Sequence, residues 1–216
     1  MATNMAQKRA KKAQRRKQVV AQKRKAEMLE AGLPAQVLRA VEAPIQYCLL
    51  TEPLFEIGIG TLVLARGATS AYTTFGSFLI DVFCLGIKDV MFQSAEGEVF
   101  EMYMDAANAG SPVVPVDPSY ARKLLRELAA WSRSIGFAPH RDFVAVEHIF
   151  GDVSADASEQ AFRFGRDGKP FYIPGPTDTV PLIRRRIEQL QKQLGDDGFG
   201  CAIADQSTDL LVKARS

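Results

Sequence analysis

The feature that most constrains the fold is a pair of apolar segments separated by a short turn. Residues 57–66 are mostly apolar, with β-branched side chains among them and apolar residues on both faces of a strand, and residues 71–85 are rich in aromatic and aliphatic side chains. A strand that is apolar on both faces must be covered by other elements on both sides. Residues 67–70 supply the turn. The sequence therefore predicts two adjacent strands, Ile57–Arg66 and Ala71–Leu85, with the first in the centre of a sheet.

Two amphipathic helices are predicted to pack their apolar faces on this sheet. The first, residues 117–135, has Asp117 as its cap, Pro118 in its first turn and Gly136 as its stop. Its apolar face repeats every three or four residues as Tyr120, Leu124, Leu128, Trp131 and Ile135. The second helix covers residues 179–194, and its apolar face consists of Ile183, Ile187, Leu190 and Leu194. A third helix is predicted near residues 141–150.

Shorter elements are predicted from turn residues and apolar runs. The Asp167-Gly168 pair between aromatic residues predicts a β-hairpin over residues 161–173. Gly97 is expected to divide residues 86–104 into two short elements. The remaining predictions are a loop at 108–116, a helical turn at 35–41 and strands at 45–51 and 199–203.

Together these elements predict an α+β fold, with an antiparallel or mixed sheet packed by two or three amphipathic helices. The sheet is expected around the 57–85 pair and the 161–173 hairpin. Residues 32–204 are predicted to form a single domain, because a chain of 216 residues suffices for one substantial core. Residues 1–31 are predicted to be a basic arm, disordered or marginally helical, and residues 205–216 a loose C-terminal tail.

Positive charge is concentrated in the first 30 residues. They contain ten cations and two acids, a net charge of +8. The rest of the chain carries 17 cations and 23 acids, a net charge of −6. Large apolar residues are scarce in the arm, so a helix there would gain little from packing. The ten cations are Lys8, Arg9, Lys11, Lys12, Arg15, Arg16, Lys17, Lys23, Arg24 and Lys25.

This division of charge predicts a polyanionic partner for the arm. We expect a non-enzymatic RNA- or ribosome-associated protein whose arm contacts phosphates without reading sequence, with RNA favoured over DNA. A solubilising tail is one alternative explanation of the arm, and a protein-interaction adapter with an acidic protein partner is another. The chain shows no secretory signal and no apolar run that could span a membrane, which predicts a cytoplasmic location.

A second basic feature lies in the helix predicted at 179–194. Arg184, Arg185 and Arg186 are consecutive, and successive residues point in different directions around a helix, so at most two can share one face. The start of a helix also offers free backbone N–H groups to an anion. Arg184 and Arg185 are therefore secondary candidates for phosphate contacts.

The alternative function is a metal-dependent hydrolase or nuclease. Alternation along the second strand places Asp81 on one face with Phe83, where a carboxylate is desolvated unless a cation such as Lys88 pairs with it. Asp81 and Asp89 could then hold a divalent cation, with His140 as a further catalytic candidate. The competing explanation is a structural ion pair, or a carboxylate that caps the end of the strand.

No metal site or cofactor is predicted outside that alternative. His140 and His148 are eight residues apart and no Cys-x-x-Cys pair accompanies them, which argues against zinc. The sequence contains no P-loop and no dinucleotide fingerprint. A divalent cation is therefore expected only if the protein is a hydrolase or nuclease.

Several segments of the chain resemble a bacterial protein family that has no assigned activity. The resemblance rests on residues 57–66, on 78–89, on Gly136-Phe-Ala-Pro-His140 and on Phe164-Gly-Arg-Asp-Gly-Lys-Pro170. It covers residues 45 to 200, most of the predicted domain. The resemblance implies a bacterial cytosolic protein and assigns no catalytic or binding residue.

Overall fold

The centre of the molecule is a five-stranded antiparallel sheet, seen in a computed structural model that describes residues 15, 32–69, 72–204 and 210–212. Its strand order is β4-β3-β2-β1-β5, and every neighbouring pair is antiparallel. The predicted α+β class is confirmed. The strands are β1 Ile45–Thr51, β2 Ile59–Thr69, β3 Tyr72–Asp81, β4 Gly86–Glu96 and β5 Val113–Pro115.

Six α-helices and a smaller sheet complete the described part of the chain. A three-stranded sheet has the order β6-β7-β8, with β6 parallel to β7 and β7 antiparallel to β8. Its strands are β6 Phe171–Tyr172, β7 Gly200–Ala204 and β8 Leu210–Val212. Two 3₁₀ turns cover His148–Phe150 and Ala155–Ala157. The helices are α1 Leu33–Ala40, α2 Leu54–Ile57, α3 Gly97–Gly110, α4 Pro118–Ser134, α5 Phe143–Glu147 and α6 Val180–Leu194.

The larger core lies on one face of the five-stranded sheet, here called the first face. Leu62, Leu64 and Phe78 of the central strands are fully buried there, against the apolar sides of α4 and α5 and the 148–150 turn. Helix α1 joins the same core through Val37. Complete burial of such a side chain contributes about 1.5–3 kcal/mol, so this face supplies most of the hydrophobic stabilisation.

A separate, smaller core lies on the opposite, second face. Val63, Ala65 and Phe75 are buried there under Phe100 of α3, with Tyr103 packed at the side. Because α3 connects β4 with β5, which are opposite edges of the sheet, it crosses this face. The prediction that the strand at 57–66 is central and covered on both faces is therefore confirmed.

The two strands of the predicted pair have different bounds from those expected where they meet helix α2 and a turn. Residues 54–57 form α2, so β2 begins at Ile59, after Gly58 has turned the chain with φ of 84°. Strand β3 ends at Asp81, and residues 82–85 form a turn. The prediction of a strand as far as Leu85 is wrong, because this turn reverses the chain into β4.

Two further predictions need correction. The loop predicted at 108–116 is wrong for most of its length, since α3 continues to Gly110 and residues 113–115 form β5. The hairpin predicted at 161–173 is also wrong: Asp167-Gly168 makes a tight turn that bridges Arg166 and Lys169, but β6 pairs in parallel with β7. The expected break at Gly97 is confirmed, because β4 ends and α3 begins there.

The two main predicted helices are confirmed, but one packs elsewhere than expected. Asp117 caps α4 by accepting hydrogen bonds from the backbone N–H groups of residues 119 and 120, and the apolar face of α4 packs on the sheet. Helix α6 packs instead on Cys84, Leu85 and Tyr172, through Leu190. Its partners are therefore the 82–85 turn and β6, and not the five-stranded sheet.

Two predicted segments fall wholly or partly outside the described residues. Only Arg15 of the arm at residues 1–31 is described, and its side chain is exposed. In the C-terminal segment, Leu210–Val212 form β8, while residues 205–209 and 213–216 lie outside the described part of the chain.

A buried charge network joins helices α4 and α5. Arg122 and Glu147 form a two-point ion pair, with Nε–Oε1 at 2.6 Å and Nη2–Oε2 at 3.3 Å. Nη1 of Arg122 also donates to the carbonyls of Gly151 and Val153, and Arg126 donates to Glu147. Because every charged group here has partners, the network tolerates burial and fixes the position of α5.

We predict that Gly86→Ala destabilises the fold strongly whereas Gly110→Ala does not. Gly86 has φ of 71°, and a Cβ there would lie 2.4 Å from Cβ of Ser132 in α4. Left-handed strain and overpacking together should lower the free energy of unfolding by about 2–4 kcal/mol. Among the described residues, nothing beyond the helix itself lies within 4 Å of a Cβ added at Gly110, so alanine there should be neutral or slightly stabilising. Urea unfolding of both variants is the measurement, and equal effects would contradict the prediction.

Candidate functional site

Asp81 is buried at the end of β3 and caps the turn that follows. The residue is 6 % exposed. Its Oδ1 accepts hydrogen bonds from the backbone N–H groups of Phe83 at 3.0 Å and Cys84 at 2.8 Å. Burial raises the pKa of Asp81, and the N–H donors of the turn together with the charge of Lys88 offset this only in part. The geometry matches the expectation of a capping carboxylate at the end of the strand.

Lys88 lies within electrostatic range of three groups around this turn. Its charge lowers the pKa of Asp81, Cys84 and Asp178. Cys84 is fully buried, and burial is the main reason that the pKa of its thiol is raised. A thiolate nucleophile is therefore disfavoured at this position, since reactive cysteines have a lowered pKa and some exposure.

Asp89 and His140 form a separate pair at the outer edge of the sheet. The Asp89 side chain is 68 % exposed, and its Oδ1 accepts a hydrogen bond from the N–H of Val90. The ring of His140 lies between two carboxylates, with Nε2 3.7 Å from Oδ1 of Asp89 and Nδ1 3.9 Å from Oδ2 of Asp142. These distances are too long for hydrogen bonds, and Nδ1 of the ring instead accepts a hydrogen bond from the backbone N–H of Asp142 at 3.3 Å.

The four catalytic candidates thus form two groups that differ in exposure. Asp81 is buried with Lys88 nearby, whereas Asp89 is exposed beside His140. Among the described residues, no group of three or more His, Cys, Asp or Glu side chains is arranged to hold a metal ion. A shared metal centre at Asp81 and Asp89 therefore has no geometric support in the described part of the chain.

Sequence reasoning missed a polar cluster that ties α6 to the preceding loop. The carboxylate of Asp178 accepts hydrogen bonds from the hydroxyl of Tyr172, the N–H of Gly175 and the guanidinium of Arg186. Burial opposes ionisation of Asp178, but these donors outweigh it and lower its pKa. Asp178 precedes α6 and Arg186 lies within it. Helical periodicity relates only residues of the same helix, so the sequence pattern did not predict this pair.

The three consecutive arginines of α6 point in different directions around the helix, so one is paired within the protein and two are exposed. Arg186 is held by Asp178, and its guanidinium also lies 5.6 Å from the ring centre of Tyr172. Arg184 and Arg185, the secondary phosphate-binding candidates, are exposed and make no ion pair with another described residue. Both therefore remain accessible to an anion.

A further basic surface lies on the tight turn after Phe162. Arg163, Arg166 and Lys169 are exposed around this turn, which is anchored by the hydrogen bond from Gly165 N–H to the Val82 carbonyl at 2.8 Å. The guanidinium of Arg166 lies 5.0 Å from the ring centre of Phe171. The sequence signal was the alternation of aromatic residues and cations over residues 162–171. It was interpreted only as evidence for a hairpin, and the basic surface was therefore not predicted.

The ten arm cations, apart from Arg15, lie outside the described residues. No helix in the described ranges combines the length and the apolar character needed to cross a bilayer. Comparisons of the chain with protein-family models, with curated proteins and with solved structures found no match. The proposed function therefore rests on the residues of this chain alone.

We predict that Asp81→Asn is tolerated and Asp81→Ala is not. Asparagine keeps an oxygen that can accept from the N–H groups of Phe83 and Cys84, so its free energy of unfolding should stay within about 1 kcal/mol of the native value. Alanine leaves both donors without this acceptor and should cost about 1–3 kcal/mol. Urea unfolding at neutral pH is the measurement. Equal destabilisation by both substitutions would show that the negative charge itself is needed.

The pH dependence of this pair of variants gives a second prediction. Because the pKa of Asp81 is raised in the folded state, its ionisation costs stability at neutral pH, and this cost disappears below the ordinary value of 3.8. The native protein should therefore gain stability relative to Asp81→Asn as the pH falls from about 7 to about 4. If the free energy of unfolding depends on pH in the same way for the native protein and for Asp81→Asn, a raised pKa of Asp81 is contradicted.

Proposed function

We propose that the protein is a non-enzymatic RNA-binding protein, acting on free RNA or on a ribosome in the cytoplasm, and that its basic arm makes the main phosphate contacts. The supporting observation is the separation of charge: +8 in residues 1–30 and −6 in the rest of the chain. A domain with a net negative charge repels a polyanion. Binding therefore has to come from a segment whose own charge outweighs that repulsion.

The chemistry of such an arm favours contacts with phosphates over the reading of bases. Each lysine or arginine that neutralises a phosphate releases a condensed counterion, and the salt dependence of binding follows the number of contacts. Contacts of this kind position a protein without specifying sequence. The arm has no aromatic residue between Met1 and Ala31 on which a base could stack, which agrees with binding that does not depend on sequence.

Exposed cations of the body form two further sites that could contact phosphates. Arg184 and Arg185 lie near the start of α6, and Arg163, Arg166 and Lys169 surround the turn before β6. Their number is small against the negative charge of the body, so they add to affinity only after the arm has brought the RNA close. This order of events follows from the range of screened charges, about 8 Å at physiological salt.

The hydrolase or nuclease centred on Asp81, Lys88 and Asp89 stays a prediction without a specific structural observation in its favour. The adapter with an acidic protein partner also stays a prediction. A pull-down with the full chain before and after ribonuclease treatment separates it from the RNA proposal. Partners that depend on the arm and survive ribonuclease would favour the adapter.

We predict that neutral substitutions in the arm weaken RNA binding far more than matched substitutions on the body. The arm variant is Arg15→Gln, Arg16→Gln and Lys17→Gln. The control, Arg39→Gln, Arg133→Gln and Arg141→Gln, removes the same charge from exposed positions of the body. Loss of three phosphate contacts should reduce the salt slope by about 2 and the affinity by about 10- to 100-fold at low salt. The control should lose less than about 3-fold, the general effect of net charge.

The measurement is fluorescence anisotropy of a labelled single-stranded RNA at several potassium chloride concentrations. Duplex DNA of the same length is the comparison ligand, and it tests the preference for RNA. Equal losses for the two variants, or undiminished binding after removal of residues 1–30, would refute the proposal.

A further inference from the structure

An open groove lies between α3 and the second face of the sheet. Its volume is about 390 Å³, and it is bounded by α3 on one side and by β1, β3 and β5 on the other. Aromatic and aliphatic side chains form its interior, and carboxylates of α3 lie along its rim. The lining residues that matter below are Tyr47, Leu49, Phe100, Glu101, Met104 and Asp105. We call this site the α3 groove.

The excess negative charge of the body lies in the part of the chain that contains α3, and two of its acids line this groove. Residues 89–121 contain six acids and no lysine or arginine. The other residues after residue 30 contain 17 cations and 17 acids, so they are electrically balanced. Residues 89–121, which run from within β4 through α3 and β5 to the first turn of α4, therefore carry a net charge equal to the whole excess of the body.

Two of these acids face the groove without a local counterion. Glu101 and Asp105 are four residues apart, which places them on one side of α3, and both line the groove. Both are exposed, and neither makes an ion pair with a described cation. Strand β1, which forms the opposite wall, has no charged residue.

The interior of the groove suits the stem of a long basic side chain. Tyr47 is 44 % exposed, and its ring stacks on Phe100 with the ring centres 5.9 Å apart. Lysine and arginine bury their methylene stems on apolar surface and keep the charged end at a polar rim. Aromatic faces add attraction for a cation. An aromatic floor with carboxylates along its edge therefore favours a basic peptide over a neutral or acidic one.

We propose that the α3 groove binds the basic arm of the same chain, with arm cations paired to Glu101 and Asp105. The arm carries ten cations within 18 residues, and its only adjacent large apolar pair before Met28 is Val19-Val20. Lys17 and Lys23 flank that pair, so an apolar contact in the groove places cations on both sides of it. Charge and apolar content of the arm both match those of the groove.

The chain is long enough for this contact. Residues 8 and 32 are separated by 24 peptide units, and an extended chain spans about 80 Å over that distance. A domain of this size measures on the order of 40 Å across, so the arm can pass round the edge of the sheet from α1. The tether also gives the arm an effective concentration in the millimolar range at the groove, which allows weak contacts to be occupied.

Docking has a regulatory consequence that rests on the proposed function. Arm cations held by the groove are withheld from RNA, so the groove and RNA compete for the same side chains. A few exposed ion pairs are individually weak, whereas a long RNA neutralises many cations at once. The α3 groove therefore suppresses contact with short or sparse anions and yields to an extended polyanion.

The docking itself is tested without RNA, by carbodiimide coupling of lysine to carboxylate in the full chain, followed by mass spectrometry. Links from the arm should concentrate on Glu101 and Asp105, and in Glu101→Gln with Asp105→Asn the total yield of arm links should fall and not shift to other exposed acids. The control is Glu188→Gln with Asp156→Asn, which removes the same charge from exposed acids elsewhere. The arm lysines expected to react are Lys8, Lys11, Lys12, Lys17, Lys23 and Lys25.

Two results would overturn the docking. One is a set of arm links spread over all exposed acids, with the groove no richer than the control positions. The second result would come from cross-linking a mixture of ¹⁴N- and ¹⁵N-labelled protein. If most links join a ¹⁴N peptide to a ¹⁵N peptide, the arm of a second copy fills the groove. Links within one copy that are richer at the groove than at the control positions, with a total yield that falls only in the groove variant, support the proposal.

The competition is tested by RNA anisotropy with the same two variants. Neutralising Glu101 and Asp105 should raise RNA affinity about 3- to 10-fold at low salt, with the advantage fading as salt screens both contacts. The control should change it much less. Equal gains in both variants would show a general effect of net charge and refute the competition. Absence of RNA binding in the full chain would defeat the proposed function, while the cross-links would still decide the docking.

Discussion

The arrangement of the first face depends on the guanidinium of Arg66 at the end of β2. Its nitrogens donate to four backbone carbonyls: Val41 and Ala43 after α1, and Ile149 and Phe150 in the 148–150 turn. The last carbonyls of a helical segment have no partner within it, and leaving them unsatisfied in a core costs about 1–3 kcal/mol each. Burial lowers the pKa of Arg66, but arginine stays charged in proteins. One side chain thus fixes two elements against the sheet.

The two faces of the sheet are covered unequally, and this inequality creates the surface with functional potential. On the first face, α1, α4, α5 and the 148–150 turn form one continuous core. On the second face, α3 is the one described helix that crosses from one edge strand to the other, and Phe100 and Tyr103 fill only part of the space below it. A single helix is about 10–12 Å wide and cannot cover five strands. The uncovered part becomes the α3 groove, bounded by a helix that carries acids and no cation.

Local signals determined what could be predicted, and distant partners determined what could not. Helix α4 was predictable because its Asp117 cap and apolar repeat lie within its own residues. The hairpin at 161–173 failed because the true partner of β6 is β7, some thirty residues later, and sequence alternation does not identify a parallel neighbour. Asp81 was assigned to a strand face because the turn at 82–85 continues the apolar run. Arg66 gave no signal, since an arginine at the end of a strand is usually exposed.

The charge pattern was predictable in a different sense from these elements. It relates two parts of the chain by their opposite charge, but it does not predict a contact between them. The division between arm and body was visible in the sequence, but the acids of residues 89–121 gained significance only when α3 was found to cross the second face. Val37 holds α1 in the core of the first face and Arg66 binds the segment that follows it, so together they position the helix from whose start the arm extends. In the proposed function the tether presents the arm to RNA, and its length also keeps the arm within reach of α3. If the α3 groove binds the arm as proposed, the charge that the arm offers to any partner is set by an equilibrium with carboxylates of its own domain.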